Sequence, residues 1–348
     1  MSTIATLVTR FTADTTDFRR GVAEVGASAK GAERSVGGIG PKVKSTLAVA
    51  GVAAIGLGVA LYKLGDDFEA SSRTIQRETG ATGKTLDSLN KSMENVLKTR
   101  PESMEQVTEA IVKLNRQSGL TGETLEKTAR TSLRLAAITD EDLSKTLDST
   151  QKVMNSWGIS AEDQVPKMDV LYRAHIKTGA SVTGLADTMA AQGPVLRQLG
   201  LSYEDSAALL GLLEKNGIPA STMMQSFSRT VKEAAAQGKP ASEVLRTTFD
   251  QIRNAPSDTA AAGIAIDVFG ARAGPRLAGL VREGSLSFEE LSTAISDSGI
   301  TIDKTAQQTA TPLGKLKTAL NAIRVAAKPL AEAVYNLVGK ALQWLAPL

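Results

Sequence analysis

The chain has 348 residues, a net charge of +3 and no cysteine; 42% of its residues are hydrophobic but only 4% are aromatic. The missing cysteines exclude a disulfide framework, a thiolate zinc site and a cysteine nucleophile. An apolar content carried by Ala, Leu, Val and Ile, with few rings, suits closely packed helices better than a compact enzyme core. Residues 1–44 carry seven Lys/Arg and four Asp/Glu, and residues 304–348 carry six and one, so both ends are basic and the middle is mildly acidic. The overall charge is too small to argue for nucleic acid. Residues 1–10 lack the basic and apolar regions of a secretory signal.

The β-branched content and rough alternation of residues 3–12 predict a short N-terminal strand. Asp14-Thr15-Thr16-Asp17 then supplies capping residues for a helix from Phe18 to about Lys30, and Gly37-Gly38-Ile39-Gly40-Pro41 marks a hinge. Residues 45–62 are eighteen residues without a charge, rich in Gly and Ala and bracketed by Lys44 and Lys63. That length just reaches a membrane-spanning helix. The same small residues also suit an interior helix of a bundle, and they weaken the drive into lipid.

After Gly65 a phrase recurs: Gly, an apolar or small residue, then Ser or Thr. It occurs as Gly80-Ala81-Thr82, Gly119-Leu120-Thr121, Gly158-Ile159-Ser160 and Gly200-Leu201-Ser202, with glycine spacings of 39, 39 and 42 residues. Weaker copies begin at Gly179, Gly217 and Gly299. Glycine ends a helix in the left-handed conformation, the apolar residue folds back onto that helix, and the hydroxyl caps the next one. Asp163 and Asp205, three residues after Ser160 and Ser202, fit a shortened capping box. Each phrase joins two helices, and the near-regular spacing predicts an array of helical hairpins. Further breaks fall at Gly238-Lys239-Pro240 and Asn254-Ala255-Pro256. The tail from Thr311 to Leu348 reads as a basic amphipathic helix interrupted near Pro329.

The expected fold is therefore all-α. It comprises a strand–helix segment at residues 1–44, an apolar, membrane-capable Gly/Ala-rich helix at 45–65, a helical-hairpin core at 66–303 and a basic helical tail at 304–348. The tail stops inside its apolar pattern, which suggests continuation in a longer chain.

Catalytic signals fail on residue type. Gly83-Lys84-Thr85 would need glycine at position 78 to form a phosphate loop, and Glu78 is there. Position 61, where a dinucleotide fingerprint starting at Gly56 requires glycine, is Leu61. His175, the single histidine, cannot build a two-histidine zinc site and has no Gly-x-Ser-x-Gly partner. The pairs Asp66–Asp67 and Glu289–Glu290 are explained by helix starts. Arg272, Arg276 and the basic ends lack interleaved aromatics, so no specific nucleic acid is expected. No catalytic residue, cofactor or metal ligand is assigned.

Several features in order resemble the tail tape measure proteins of long-tailed phages and prophages. They are the opening strand followed by Thr12-Ala13-Asp14-Thr15-Thr16-Asp17-Phe18, the Gly/Ala-rich helix followed by Asp67-Phe68-Glu69, and Val268-Phe269-Gly270-Ala271-Arg272-Ala273-Gly274-Pro275. The resemblance covers roughly residues 1–310. It implies a non-enzymatic virion protein that lies in the tail tube in a few copies while tube subunits polymerise around it. It also implies contacts with tube, tip and chaperone proteins in the host cytoplasm, and departure ahead of the DNA with contact to the host membrane at infection. As one continuous helix, 348 residues would span about 520 Å, short for many tails, so the core is expected to serve assembly and delivery more than measurement. A membrane-active pore former using residues 45–64 and 311–348 is the alternative, and an enzyme built on His175 is a distant third.

Overall fold

The computed structural model describes residues 41–284, 293, 295 and 299–345, with side chains from residue 58 onward except at 220–222, 233, 294 and 340–345. The expected strand, the first helix, the Gly37–Gly40 part of the hinge and Glu289–Glu290 lie outside these residues. Among the described residues there are thirteen helices and no strand. The described residues fall into two compact units: 41–108 with 311–345, and those between 109 and 310.

In the first unit, α1 (Pro41–Thr79) contains the backbone of the charge-free stretch and continues through Gly65. The side chains of residues 41–57 lie outside the described set. Among the described residues no helix is long and apolar enough to cross a membrane. Helix α2 (Gly83–Leu97) and the long α13 (Pro312–Leu345) pack on α1. Contact is tight at Gly65, where an added Cβ would lie 2.7 Å from the Ala331 carbonyl oxygen. Tyr62 and Tyr335 stack there at 5.3 Å.

The tail helix is not interrupted at Pro329 as the sequence predicts; it runs through it. Proline removes one helical hydrogen bond, but anchors before and after it hold the helix. Asn321 Nδ2 donates to the Arg100 and Glu102 carbonyls at 2.9 and 2.8 Å, Lys328 pairs with Glu94, and Ala331 is fully buried. Burial opposes the charge on Lys328, yet its bonds to Glu94 and the nearby Glu332 outweigh that and raise its pKa.

The second unit follows the repeat. Its helices are α3 (Met104–Ser118, entering from the first unit), α4 (Gly122–Thr139), α5 (Leu143–Trp157), α6 (Gln164–Thr178), α7 (Val182–Gln198), α8 (Tyr203–Lys215), α9 (Ala220–Ala236), α10 (Ala241–Arg253), α11 (Asp258–Arg282) and the short α12 (Ile302–Gln308). Helices two apart pack on one another: α4, α6 and α8 form one row, and α5, α7, α9 and α11 the other. The glycine spacing near 39 residues is thus one helix pair, and successive pairs stack.

Polar ties repeat at the same separation. Lys113 reaches Asp148 at 2.8 Å, Asn155 Nδ2 donates to the Gln117 carbonyl, Trp157 Nε1 to the Met189 carbonyl, and Lys167 pairs with Glu204 at 2.6 Å. Glu141 caps α7 from one repeat away, accepting from Val182 N at 2.7 Å and Thr183 N at 2.9 Å.

The junction glycines Gly80, Gly119, Gly158 and Gly200 all have φ between 64 and 73°. After Gly158 and Gly200 the chain closes as predicted: Ile159 N donates to Met154 O and Leu201 N to Leu196 O. Ser202 and Asp205 form a full capping box. Ser181 and Thr301 of the weaker copies also cap, accepting from Gly184 N and Lys304 N, whereas the hydroxyls of the other three main copies behave differently. Thr82 and Thr121 occupy N-cap positions without a side-chain cap bond. The next residues, Gly83 and Gly122, have φ of 52 and 56°, which turns the first helical N–H groups away from the hydroxyls. Ser160 also fails to cap: a turn over residues 160–163 delays α6, and its hydroxyl donates to Asp163 Oδ2 at 2.8 Å instead.

Candidate functional site at the Gly270 corner

The segment Val268–Pro275 folds into a joint. Helix α11 is broken at one residue, Gly270, with φ 81° and ψ 162°. That conformation is open essentially to glycine alone. The chain turns back so tightly that a Cβ on Gly274 would sit 2.6 Å from Ile266 N and 2.7 Å from the Ala265 carbonyl oxygen. Two helical arms thus meet backbone to backbone, and the two glycines have separate purposes, one for the bend and one for the contact.

Phe269 fixes the joint. It is 2% exposed and lies between Phe227, edge-on at 6.0 Å, and Phe249 at 5.8 Å. Its carbonyl, freed by the break in the helix, accepts from Ser226 Oγ. Beyond the bend, Arg276 Nη2 donates to the Asn216 carbonyl at 2.6 Å, and Arg282 Nη1 to the Ala255 carbonyl at 2.6 Å. Asn216 is the C-cap of α8 and Ala255 lies just beyond the end of α10. Both guanidinium groups therefore satisfy carbonyls where the helix dipole is negative. Arg272 is exposed. The arginines that sequence alone would offer to phosphate divide into one surface residue and one structural tie.

A second cluster covers a flank of α4 and α6. Arg173, 7% exposed, donates to the carbonyls of Ile295 and Ile300, and Asp169 Oδ1 accepts from Ile302 N at 2.8 Å. Arg134 pairs with Asp303. Burial raises the Asp169 pKa, opposed by its bond to Ile302 and the charge of Arg173.

The remaining candidates are structural. His175 Nδ1 lies 2.8 Å from the Ala180 carbonyl oxygen and its ring stacks on Tyr172. Residues 68–78, before Gly83-Lys84-Thr85, are helical where a phosphate loop requires a strand. Asp66 and Asp67 lie in the middle of α1 and not at the helix start that the sequence predicts; Asp66 is 3.7 Å from Arg73, both side chains exposed. A cleft of about 450 Å³ runs along α4. Its cations Lys127, Arg130 and Arg134 are paired with Glu123, Glu126 and Asp303. Among the described residues no group of three or more His, Asp or Glu side chains is placed to hold a metal. Sequence reasoning passed over Glu141, Asp169 and Arg173, whose partners lie far along the chain. It also missed the Ser103–Gln106 capping box, although that pattern was visible.

The chain is similar to a tape measure protein of Pneumococcus phage Dp-1, with 25% identity over 207 residues. Those residues cover 56% of this chain and 17% of that protein, so the chain spans about a sixth of the relative it matches. No solved structure matches. The model of the phage-related minor tail protein family matches residues 102–328. That match takes in the helix-pair stack, the Gly270 corner and the start of α13, and the chain belongs to the phage-related minor tail protein family.

Proposed function

We propose that this chain is the folded core portion of a tape measure protein, which organises tail assembly and accompanies the genome at infection. The similarity to the Dp-1 tape measure protein carries the reading. The helix-pair stack supports an assembly role for this portion, because stacked pairs present long surfaces built from repeated units. Tube and tip proteins, assembly chaperones and further copies of the chain are the proposed partners, in the host cytoplasm during assembly and in the tail tube of the virion. Residues 45–62 are proposed to meet the host membrane during delivery, on the strength of their length and lack of charge. No catalysis is assigned.

In-frame deletion in the phage carrying the gene tests the division of labour. A helix pair such as residues 122–160 would correspond to about 58 Å of rod at 1.5 Å per residue. Removing it should abolish tails or make them aberrant. Tails uniformly shorter by that increment would show that the stack itself measures. Normal tails would remove the tape measure reading.

A further inference from the structure

Helix α4 presents a polar wall to the cleft of about 450 Å³ beside it. Thr128 on that wall is fully buried, and its hydroxyl has no hydrogen-bond partner. Other buried threonines avoid that state. Thr108, Thr146, Thr150, Thr178 and Thr248 all donate to the carbonyl four residues earlier, the usual recourse of a hydroxyl inside a helix. An orphaned buried hydroxyl is costly, and this one lines an opening large enough for a ligand. Lys127, Arg130 and Arg134 line it too. Their pairing leaves donors to spare. Arg134 uses Nη1 on Asp303 and keeps the rest of its guanidinium donors. The Lys127–Glu123 pair is exposed on both sides, 63% and 79%, and is therefore weak.

We propose that this cleft binds a short segment of a partner protein, one carboxylate set between apolar residues. The proposal rests on the tape measure reading, which makes other tail proteins the partners. Shape and charge select the occupant. Ala161, Val165 and Pro166, from the turn into α6 and its first residues, give the cleft an apolar part. Three cations line it against two carboxylates, Glu162 and Asp303. A single added carboxylate is matched there, whereas a polyanion such as DNA is repelled by both acids. In the complex the carboxylate accepts from the Thr128 hydroxyl and from the lining cations, so the orphaned group gains its partner.

Threonine-methyl NMR of the full chain tests this with a synthetic peptide, acetyl-Ala-Leu-Glu-Leu-Ala-amide, and its glutamine counterpart. The glutamate peptide is expected to shift the methyl signals of Thr124, Thr128 and Thr131, which line the cleft. The glutamine peptide should bind about tenfold more weakly, the worth of one charge-assisted bond. Thr128→Val keeps the side-chain shape and removes the hydroxyl. It should raise the Tm of the chain alone, because no bond is lost, and weaken the peptide about tenfold; a merely structural hydroxyl would not couple the two. Lys127→Gln, at an exposed side chain, should weaken the peptide with an unchanged far-UV spectrum. The proposal is overturned by no shift from either peptide at millimolar concentration, by equal binding of the two, by undiminished binding to Thr128→Val, or by shifts from inorganic phosphate or a DNA duplex with none from the peptide. Failure of the peptide to bind, with tails still lost on deletion of residues 122–160, would sink the cleft and leave the tape measure reading standing. Peptide binding by a chain whose deletion leaves tails normal would do the reverse.

Discussion

Gly274→Ala isolates the close contact at the corner. In an ordinary helix interior, replacing glycine by alanine stabilises by about 1 kcal/mol. At Gly274 the new methyl would meet Ile266 N at 2.6 Å and the Ala265 carbonyl group at 2.7 Å, all main-chain atoms. No rotamer relieves that overlap. The arms must separate, which disturbs the packing of the buried Phe269, Ala265 and Ala273. Overpacking of this kind costs roughly 1–3 kcal/mol, so at the upper end the net loss is about 2 kcal/mol. Gly279, on the same arm with nothing within 4 Å of its added Cβ, supplies the control, and Gly279→Ala should stabilise by about 0.5–1 kcal/mol. Urea unfolding monitored by far-UV circular dichroism and Trp157 fluorescence measures both. With a slope of about 2 kcal/mol per molar, the Gly274→Ala midpoint should fall by roughly 1 M while the Gly279→Ala midpoint rises. A Gly274→Ala midpoint at or above that of the unaltered chain would refute the backbone-contact argument, as would equal losses from both substitutions.

Other substitutions probe the ties between helices. Glu141→Ala strips two charge-assisted bonds from the start of α7 and should cost about 2 kcal/mol. Faster amide exchange at Val182 and Thr183 would localise that loss. Asn321→Ala removes the donor shared by the Arg100 and Glu102 carbonyls, so thermal denaturation should show a loss of about 1–3 kcal/mol. The raised pKa of Asp169 means that the folded chain holds a proton which the unfolded chain releases near pH 3.9. Stability contributed by that proton is present below pH 3.9 and is lost as pH rises through the folded-state pKa. Asp169→Asn should flatten this part of the stability profile, and an unchanged slope would remove Asp169 as its source.

The sequence made the helix ends legible because a left-handed glycine is a local requirement. Gly80, Gly119, Gly158 and Gly200 all proved to be junctions, and their spacing is the repeat. The capping role of the hydroxyl two residues after each glycine was harder to read. Ser202 caps as predicted, but Gly83 and Gly122 deprive Thr82 and Thr121 of that role, and a turn does the same to Ser160. Pro329 looked like a break because local propensity argues for one, and anchors to residues more than 200 positions earlier overrode it. The Gly270 corner was visible as a motif but not as a mechanism: nothing local tells that Gly270 bends the chain and Gly274 admits its backbone. Nothing local marks Glu141, Asp169 or Arg173, because their partners are main-chain groups that only the fold brings to them.

Those distant ties also bear on measurement. An open stack of helix pairs tolerates added or lost repeats, because each pair touches only its neighbours. In this core the row containing α4 and α6 is tied to Ile295 and to residues 300–303. Arg173 binds the Ile295 and Ile300 carbonyls, Asp169 takes the Ile302 N–H, and Arg134 pairs with Asp303. These links join residues 122 to 169 positions apart. Deleting the α4–α5 pair would remove Arg134 and take its partner from Asp303, and deleting α5–α6 would remove Asp169 and Arg173 and take theirs from the Ile302 N–H and the Ile295 and Ile300 carbonyls, a costly loss where those groups are buried. A ruler must instead accept insertions and deletions in proportion to length. The same closure that stabilises the core makes it unsuited to be lengthened, and on the tape measure reading measurement falls to sequence outside the stack.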